Sequence, residues 1–285
     1  MGKNDYVKIW NKVLSKYEIS SFVYDIGDNL RKIHVYNLLN RVLKNFEKGH
    51  ESLIISDFGA GNWLYLDKIY QSINKNSIEK KICLYGFDFS EAALKWGVEK
   101  YKNLKPKNVQ VVLKPGDFME MLNSKSCSIS DLVLTLEVTE HIKDDANYLV
   151  NIFNMLKDGG FLIISVPNAN PLFPSLDWFQ YVFSRNKLIE KDLRVGHYRR
   201  YNTKDLQELL REIGYSIIKT QHYDFILSGY LELLLSRTFT RDNLFKRVLF
   251  RICLNIIMFE DFLFNLLRIR KSGGIFILAQ KTNNT

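Results

Sequence analysis

Cysteine is scarce in this chain, and its three residues stand far apart: Cys83, Cys127 and Cys253 form no CxxC pair. That excludes a zinc-ribbon signature and a disulfide framework, and fits free thiols in a reducing compartment. Long hydrophobic runs are missing as well. The most apolar stretch, about 242–270, is interrupted by Arg251, Asn255, Glu260 and Asp261, so it does not read as a transmembrane span. The opening MGKNDYVKIWNK is polar and amphipathic and cannot form a signal-peptide core. Tyr6 also stands where a myristoylation signal needs Ser or Thr. There is no internal repeat, no low-complexity tract and no block of like charge. The cytoplasm is the expected location, with membrane association as the alternative.

What the chain has is the makings of a core. Its 285 residues are 46% hydrophobic, enough for one large domain or one domain with an elaboration. The formal charge of +9 is spread along the whole length. Diffuse lysine reads first as solvated surface, so nucleic acid is not the expected partner. An anionic membrane surface or substrate remains the alternative.

Short apolar runs alternate with helical patterns, which is the mark of a parallel α/β sheet. The runs are Leu53–Phe58, Ile82–Phe87, Val109–Leu113, Asp131–Leu136 and Phe161–Val166, followed by Tyr215–Tyr223 and Gly274–Lys281. Continuously apolar strands of this kind are covered on both faces. Lys157-Asp158-Gly159-Gly160 reads as the turn that ends a helix begun near Asp145. The helix Thr203–Ile213 starts at a cap, Asn202 or Thr203, and stops at Gly214. Residues 1–50 read as helices, and the apolar spacing of Tyr24–Phe46 suits packing over a ligand mouth.

One stretch breaks the alternation. Phe225–Ser272 reads as two helices, about 225–238 and 242–270. In the second, Asn243, Arg247, Arg251, Asn255, Asp261, Asn265 and Arg268 trace a polar stripe, and the remainder is apolar. So wide an apolar sector has to be buried, against the domain's own helices or a dimer mate. Contact with a membrane surface is the sharper alternative, favoured by Arg237, Arg241, Lys246, Arg247 and Arg251.

The strongest chemical signal is Ser56-Asp57-Phe58-Gly59-Ala60-Gly61, directly after an apolar strand and before a helical pattern. Glycine lets the backbone turn sharply and approach a ligand, and an acid at the strand end accepts from a cationic amino group. The next strand ends in Gly86-Phe87-Asp88-Phe89-Ser90, where Asp88 suits the two hydroxyls of a ribose. Asp117, in Gly116-Asp117-Phe118 after the third strand, could meet an adenine amino group. Three acids at successive strand ends are far more specific than any one glycine turn.

On DFGAG (57–61), GFDFSEAAL (86–94), GDF (116–118), LEVTEHI (136–142), LKDGGFLIISVPN (156–168) and GHYRRYNTKDLQELLREIGY (196–215), the sequence resembles the class I S-adenosylmethionine-dependent methyltransferases. The resemblance implies a seven-stranded, mostly parallel Rossmann-like sheet, with helices on both faces and an antiparallel last strand. It divides the chain into an N-terminal cap (1–50), a methyltransferase domain (51–224 and 273–285) and a helical insertion (225–272). It also implies S-adenosyl-L-methionine as cofactor. Asp57, Gly59 and Gly61 would hold the methionine end, Asp88 and Phe89 the ribose side, and Asp117 with Phe118 the adenine. Glu137 would lie near the methionine part and the transferred methyl. Where such chains often carry a third glycine, this one has Trp63, whose bulk must point away from the ligand or reshape its pocket.

A second cluster is Glu137, Glu140 and His141, with His197 downstream in Gly196-His197-Tyr198-Arg199-Arg200-Tyr201. On a helical turn the first three share one face. They could bind a divalent metal together with His197, as a similar cluster does in small-RNA 2′-O-methyltransferases. Alternatively, the cluster only shapes the pocket, as in methyltransferases that use no metal. A metal is not the favoured reading. His141, and next His197, is the candidate general base for an oxygen acceptor. Arg199 and Arg200 either recognise an anionic substrate or satisfy a loop-to-helix junction. His34, His50 and His222 read as structural or surface residues. Pro167–Val195, rich in proline and aromatics, reads as a substrate lid. The expected activity is methyl transfer to a small-molecule or lipid- or polysaccharide-linked acceptor. Its competitors are a magnesium-dependent RNA 2′-O-methyltransferase and a non-catalytic cofactor-binding module.

Overall fold

The apolar runs of the sequence assemble into a single seven-stranded sheet. The structure is a computed structural model that describes residues 26–46, 52–116, 129–170, 188, 190–228, 231 and 244–282. In chain order its elements are α1 (Ile26–Leu43), β1 (Ser52–Phe58), α2 (Leu66–Lys75), β2 (Lys81–Asp88), α3 (Glu91–Tyr101), β3 (Val109–Pro115), β4 (Ser130–Leu136) and α4 (Asp145–Met155). These are followed by β5 (Leu156–Pro167), α5 (Glu190–Val195), α6 (Thr203–Ile213), β6 (Tyr215–Tyr223), α7 (Leu244–Leu266) and β7 (Gly274–Lys281).

The strand order is β3-β2-β1-β4-β5-β7-β6. Strands β1 to β5 pair in parallel, and β7 runs antiparallel between β5 and β6. The order reverses direction between β1 and β4, and the crevice beyond the carboxyl ends of such strands is where open α/β sheets bind ligands.

Two hydrophobic layers cover the sheet. On one face Leu39, Leu66 and Ile69 pack on Ile55, Leu84, Leu134 and Ile163. On the other, Leu149 and Ile152 of α4 and Leu206 and Leu210 of α6 pack on Val133, Leu162, Ile164 and Ile277. Helix α6 is capped by Asn202, whose side chain accepts from the Lys204 amide at 3.0 Å, and it ends at Gly214 with φ +117°. That left-handed stop is the one glycine adopts without steric cost.

Two expectations need correction. The Lys157–Gly160 segment does not stand outside the sheet, because Leu156 already pairs with Ser130 and the register shifts before Leu132. Lys157 anchors this irregularity by donating to both carboxylate oxygens of buried Asp131, at 2.9 Å each.

The second correction concerns α7, whose inward face holds Phe250, Cys253 and Ile257 together with the acids Glu260 and Asp261. Asp261 meets His34 at 3.1 Å, Glu260 accepts from the Leu227 amide at 3.1 Å, and Asn265 bonds both the amide and the carbonyl of His222. The expected polar stripe is therefore split. Arg247, Arg251, Asn255 and Arg268 face outward, Asp261 is buried and Asn265 bonds β6, and much of the apolar sector is left exposed. Hydrogen-bonded partners on α1 and β6 decide which face docks. Asn243 and most of the expected helix 225–238 lie outside the described residues, as does most of the Pro167–Val195 segment.

Candidate functional site

The loop after β1 is held by β2. The amides of Gly59 and Ala60 both donate to the Phe87 carbonyl, at 2.8 and 3.0 Å. Gly59 has φ +71°, and a Cβ there would stand 2.3 Å from Val138 Cγ2, so both conformation and space demand glycine. Gly61, at φ +52°, donates its amide to Asp88 Oδ2 at 2.9 Å. The other oxygen of Asp88 accepts from the Ser90 amide at 2.8 Å. The loop and the end of β2 thus form one hydrogen-bonded unit, and Phe89 packs half-buried beside it against the second core layer.

Asp57 and Asp88 are both almost fully buried. Burial first, and then the Asp88 charge, pushes the Asp57 carboxyl up to about 8. Burial raises Asp88 to about 6, against the opposing pull of the Ser90 and Gly61 amides. Two acids held this way are short of positive charge. A ligand bringing a cationic amino or sulfonium group would supply it, so this chain's residues fit the methionine and ribose ends of the expected cofactor. Asp117 and Phe118 lie outside the described residues, although Gly116 just before them donates to the Asp88 carbonyl at 2.9 Å.

Trp63 settles in the core. Its backbone is left-handed, at φ +54°, and its ring is fully buried against β2. A Cβ at Gly86 would lie 2.0 Å from the indole, and one at Gly97 would lie 2.4 Å from the Asn62 carbonyl and 2.7 Å from Trp63 Cβ. The bulk that replaces a glycine in the loop is accepted by two glycines elsewhere, one on β2 and one on α3.

Glu137 does not share a helical face with Glu140 and His141, as its spacing suggested. It sits at φ +58°, before a single 3₁₀ turn, Thr139–His141, and so turns the other way. Its carboxylate accepts from Ser165 Oγ at 2.8 Å and from Tyr223 OH at 3.2 Å, and Arg31 of α1 stands 3.6 Å away. Arg31 carries no sequence signal of its own. Only the reading of Tyr24–Phe46 as a cover pointed at its helix.

Glu140, His141 and His197 do converge, with one ligand atom from each lying within 4.8 Å of the others. Glu140 is wholly buried, neither of its carboxylate oxygens has a hydrogen-bond partner, and burial pushes its carboxyl well above the usual range. The two rings meet edge to face at 4.7 Å. His141 Nδ1 lies 3.3 Å from the Gly196 carbonyl, and His197 Nδ1 lies 3.0 Å from Asp192. In both cases the partner oxygen makes Nδ1 the donor, which in a neutral ring leaves the lone pair on Nε2. Burial, and then the neighbouring His197, lowers His141 to about 4.

Arg200 grips Asp192 through two nitrogens, at 2.8 and 3.0 Å, and Arg199 pairs with Asp145. Both arginines therefore serve the junction. His34 and His222 are held by Asp261 and Ser272 as structural residues, and His50 lies outside the described residues.

A reversed-order α/β sheet with a glycine loop and paired acids at its switch point defines a nucleoside-cofactor protein of the Rossmann-like class. Residues 30–220 match the methyltransferase domain family, and the chain belongs to it. It is 26% identical over 135 residues to a Mycolicibacterium smegmatis protein assigned as an S-adenosylmethionine-dependent methyltransferase, covering 47% of this chain and 44% of that one. The chain thus spans less than half the length of that relative. Among solved structures, a Galdieria sulphuraria protein assigned as a sarcosine dimethylglycine methyltransferase aligns over 98% of both chains, with TM-score 0.55 and 15% identity. The [4+2]-cyclase SpnF aligns over 87% of this chain and 81% of its own, with TM-score 0.51 and 14% identity. Likeness at this level describes the fold, and the cyclase shows that the fold alone does not set the reaction.

Proposed function

We propose that this protein transfers a methyl group from S-adenosyl-L-methionine to a small-molecule or lipid-linked acceptor. The observation that carries the proposal is the pair of buried acids, Asp57 and Asp88, at the carboxyl ends of β1 and β2 and joined through Gly61. Asp57, Gly59 and Gly61 would hold the methionine end, Asp88 with Phe89 the ribose, and Asp117 with Phe118 the adenine. The cofactor supplies an electrophilic methyl carbon, so the chain's own task is to align the acceptor and exclude water. Glu137, between Arg31 and Tyr223, would orient the methionine end. The core position of Trp63 weighs against a binding module whose pocket is filled by that ring.

For an oxygen acceptor, His197 is better placed as base than His141. Asp192 accepts from its Nδ1 and so orients Nε2 as the basic nitrogen, whereas burial makes His141 a weak base. The magnesium-dependent RNA reading calls on Glu137, Glu140, His141 and His197, of which the last three converge while Glu137 is turned to Ser165 and Tyr223. One carboxylate and two imidazoles suit zinc, manganese or iron better than magnesium, which prefers oxygen ligands.

Titration calorimetry with S-adenosylmethionine tests the proposal. Binding by the folded protein, lost in Asp88→Ala, is the expected result. A folded protein that binds neither S-adenosylmethionine nor S-adenosylhomocysteine overturns it.

A further inference from the structure

With its buried residues turned onto α1 and β6, α7 leaves an apolar flank outside. Val248, Ile252, Ile256, Phe259, Phe262 and Leu266 recur at steps of three and four, and each is 47–65% exposed. Isolated exposed leucines are ordinary, but a continuous stripe along a 23-residue helix marks an interaction surface.

The charges around the stripe identify what it meets. Among the described side chains of 244–271, the exposed charged groups are Arg247, Arg251, Arg268, Arg270 and Lys271, all cationic. Both acids of this segment, Glu260 and Asp261, are buried. We propose that the outer face of α7 lies on an anionic membrane surface, its apolar stripe among acyl chains and its cations at the headgroups. A second copy of the chain fits less well. An antiparallel pair would set Arg251 against Arg268 and Arg270, with no exposed acid among the described side chains of 244–271 to offset the repulsion. No described helix is long and apolar enough to cross a membrane, so α7 rests in the interface plane. This contact deepens the lipid-linked reading of the acceptor, but it rests on surface chemistry alone and survives if the protein binds no S-adenosylmethionine.

Flotation of the full chain with phosphatidylcholine vesicles, with and without phosphatidylglycerol, tests it. Binding is expected to the phosphatidylglycerol vesicles, weaker at high salt, and reduced about tenfold in Phe259→Gln/Phe262→Gln. If that variant misfolds, Arg251→Glu/Arg270→Glu, which changes only exposed groups, should show the same loss. Three results overturn the proposal. One is wild-type protein that ignores anionic vesicles. Another is full binding by both folded variants. The third is a dimer in analytical ultracentrifugation that Phe259→Gln/Phe262→Gln dissociates while vesicles go unbound, which gives the face to a second copy.

Discussion

Arg31 of α1 stands 3.6 Å from Glu137, the left-handed residue that follows β4, and so ties α1 to the switch point of the sheet. Both side chains are a quarter exposed, which limits what the pair contributes to stability. Arg31→Gln should cost about 1 kcal/mol, a fall of about 2–4 °C in melting temperature. It should also weaken S-adenosylmethionine binding severalfold, because Glu137, still bonded by Ser165 and Tyr223, would lose its cationic neighbour. Calorimetry beside thermal melts separates the two effects, and a variant with unaltered affinity would remove Arg31 from the site.

The slot that takes Trp63 predicts a coupled pair. Gly86→Ala drives a methyl group into the indole and should cost about 2–3 kcal/mol. In a Trp63→Leu background the same change should cost much less. A double-mutant cycle by urea unfolding reads the coupling directly, and additive costs would mean that the ring and the glycine do not share that space.

The raised acids make stability fall as pH rises. Asp57, with its folded pKa near 8 against an unfolded value near 4, is most stabilising when protonated, and that contribution is lost as pH climbs through 8. His141 and His222, lowered to about 4, act in the opposite direction, but only below their unfolded value of about 6.5. The interval from pH 7 to 9 therefore isolates the acids. Ligand-free protein should melt at a lower temperature at pH 9 than at pH 7, and Asp57→Asn should flatten that slope. An unchanged slope in the variant would assign the proton to another group, Glu140 first.

The Asp192–His197 pair predicts a pattern in the kinetics. If the acceptor is a hydroxyl, His197→Gln should lower kcat by about 10²–10⁴, and Asp192→Asn should lower it less while shifting the pH profile. His141→Gln should have a smaller effect. An acceptor methylated at full rate by His197→Gln would point to an amine or carbon nucleophile.

Much of this was legible along the chain because the relevant forces are local. Alternating apolar runs, the Asn202 cap, the Gly214 stop and the Asp57–Gly61 turn are patterns of a few residues, and each sits where its spacing placed it. Three features were decided only by packing. The ring of Trp63 went into the core because Gly86 and Gly97, distant in sequence, leave room for it. Glu137 turned away from Glu140 because Ser165, Tyr223 and Arg31 converge on it from three other elements. Helix α7 turned two acids inward because His34 and the backbone around Leu227 offered partners, and that choice left its apolar stripe outside. Sequence periodicity shows that a helix has two faces. Which face is buried depends on hydrogen-bond partners supplied by residues far away in the chain.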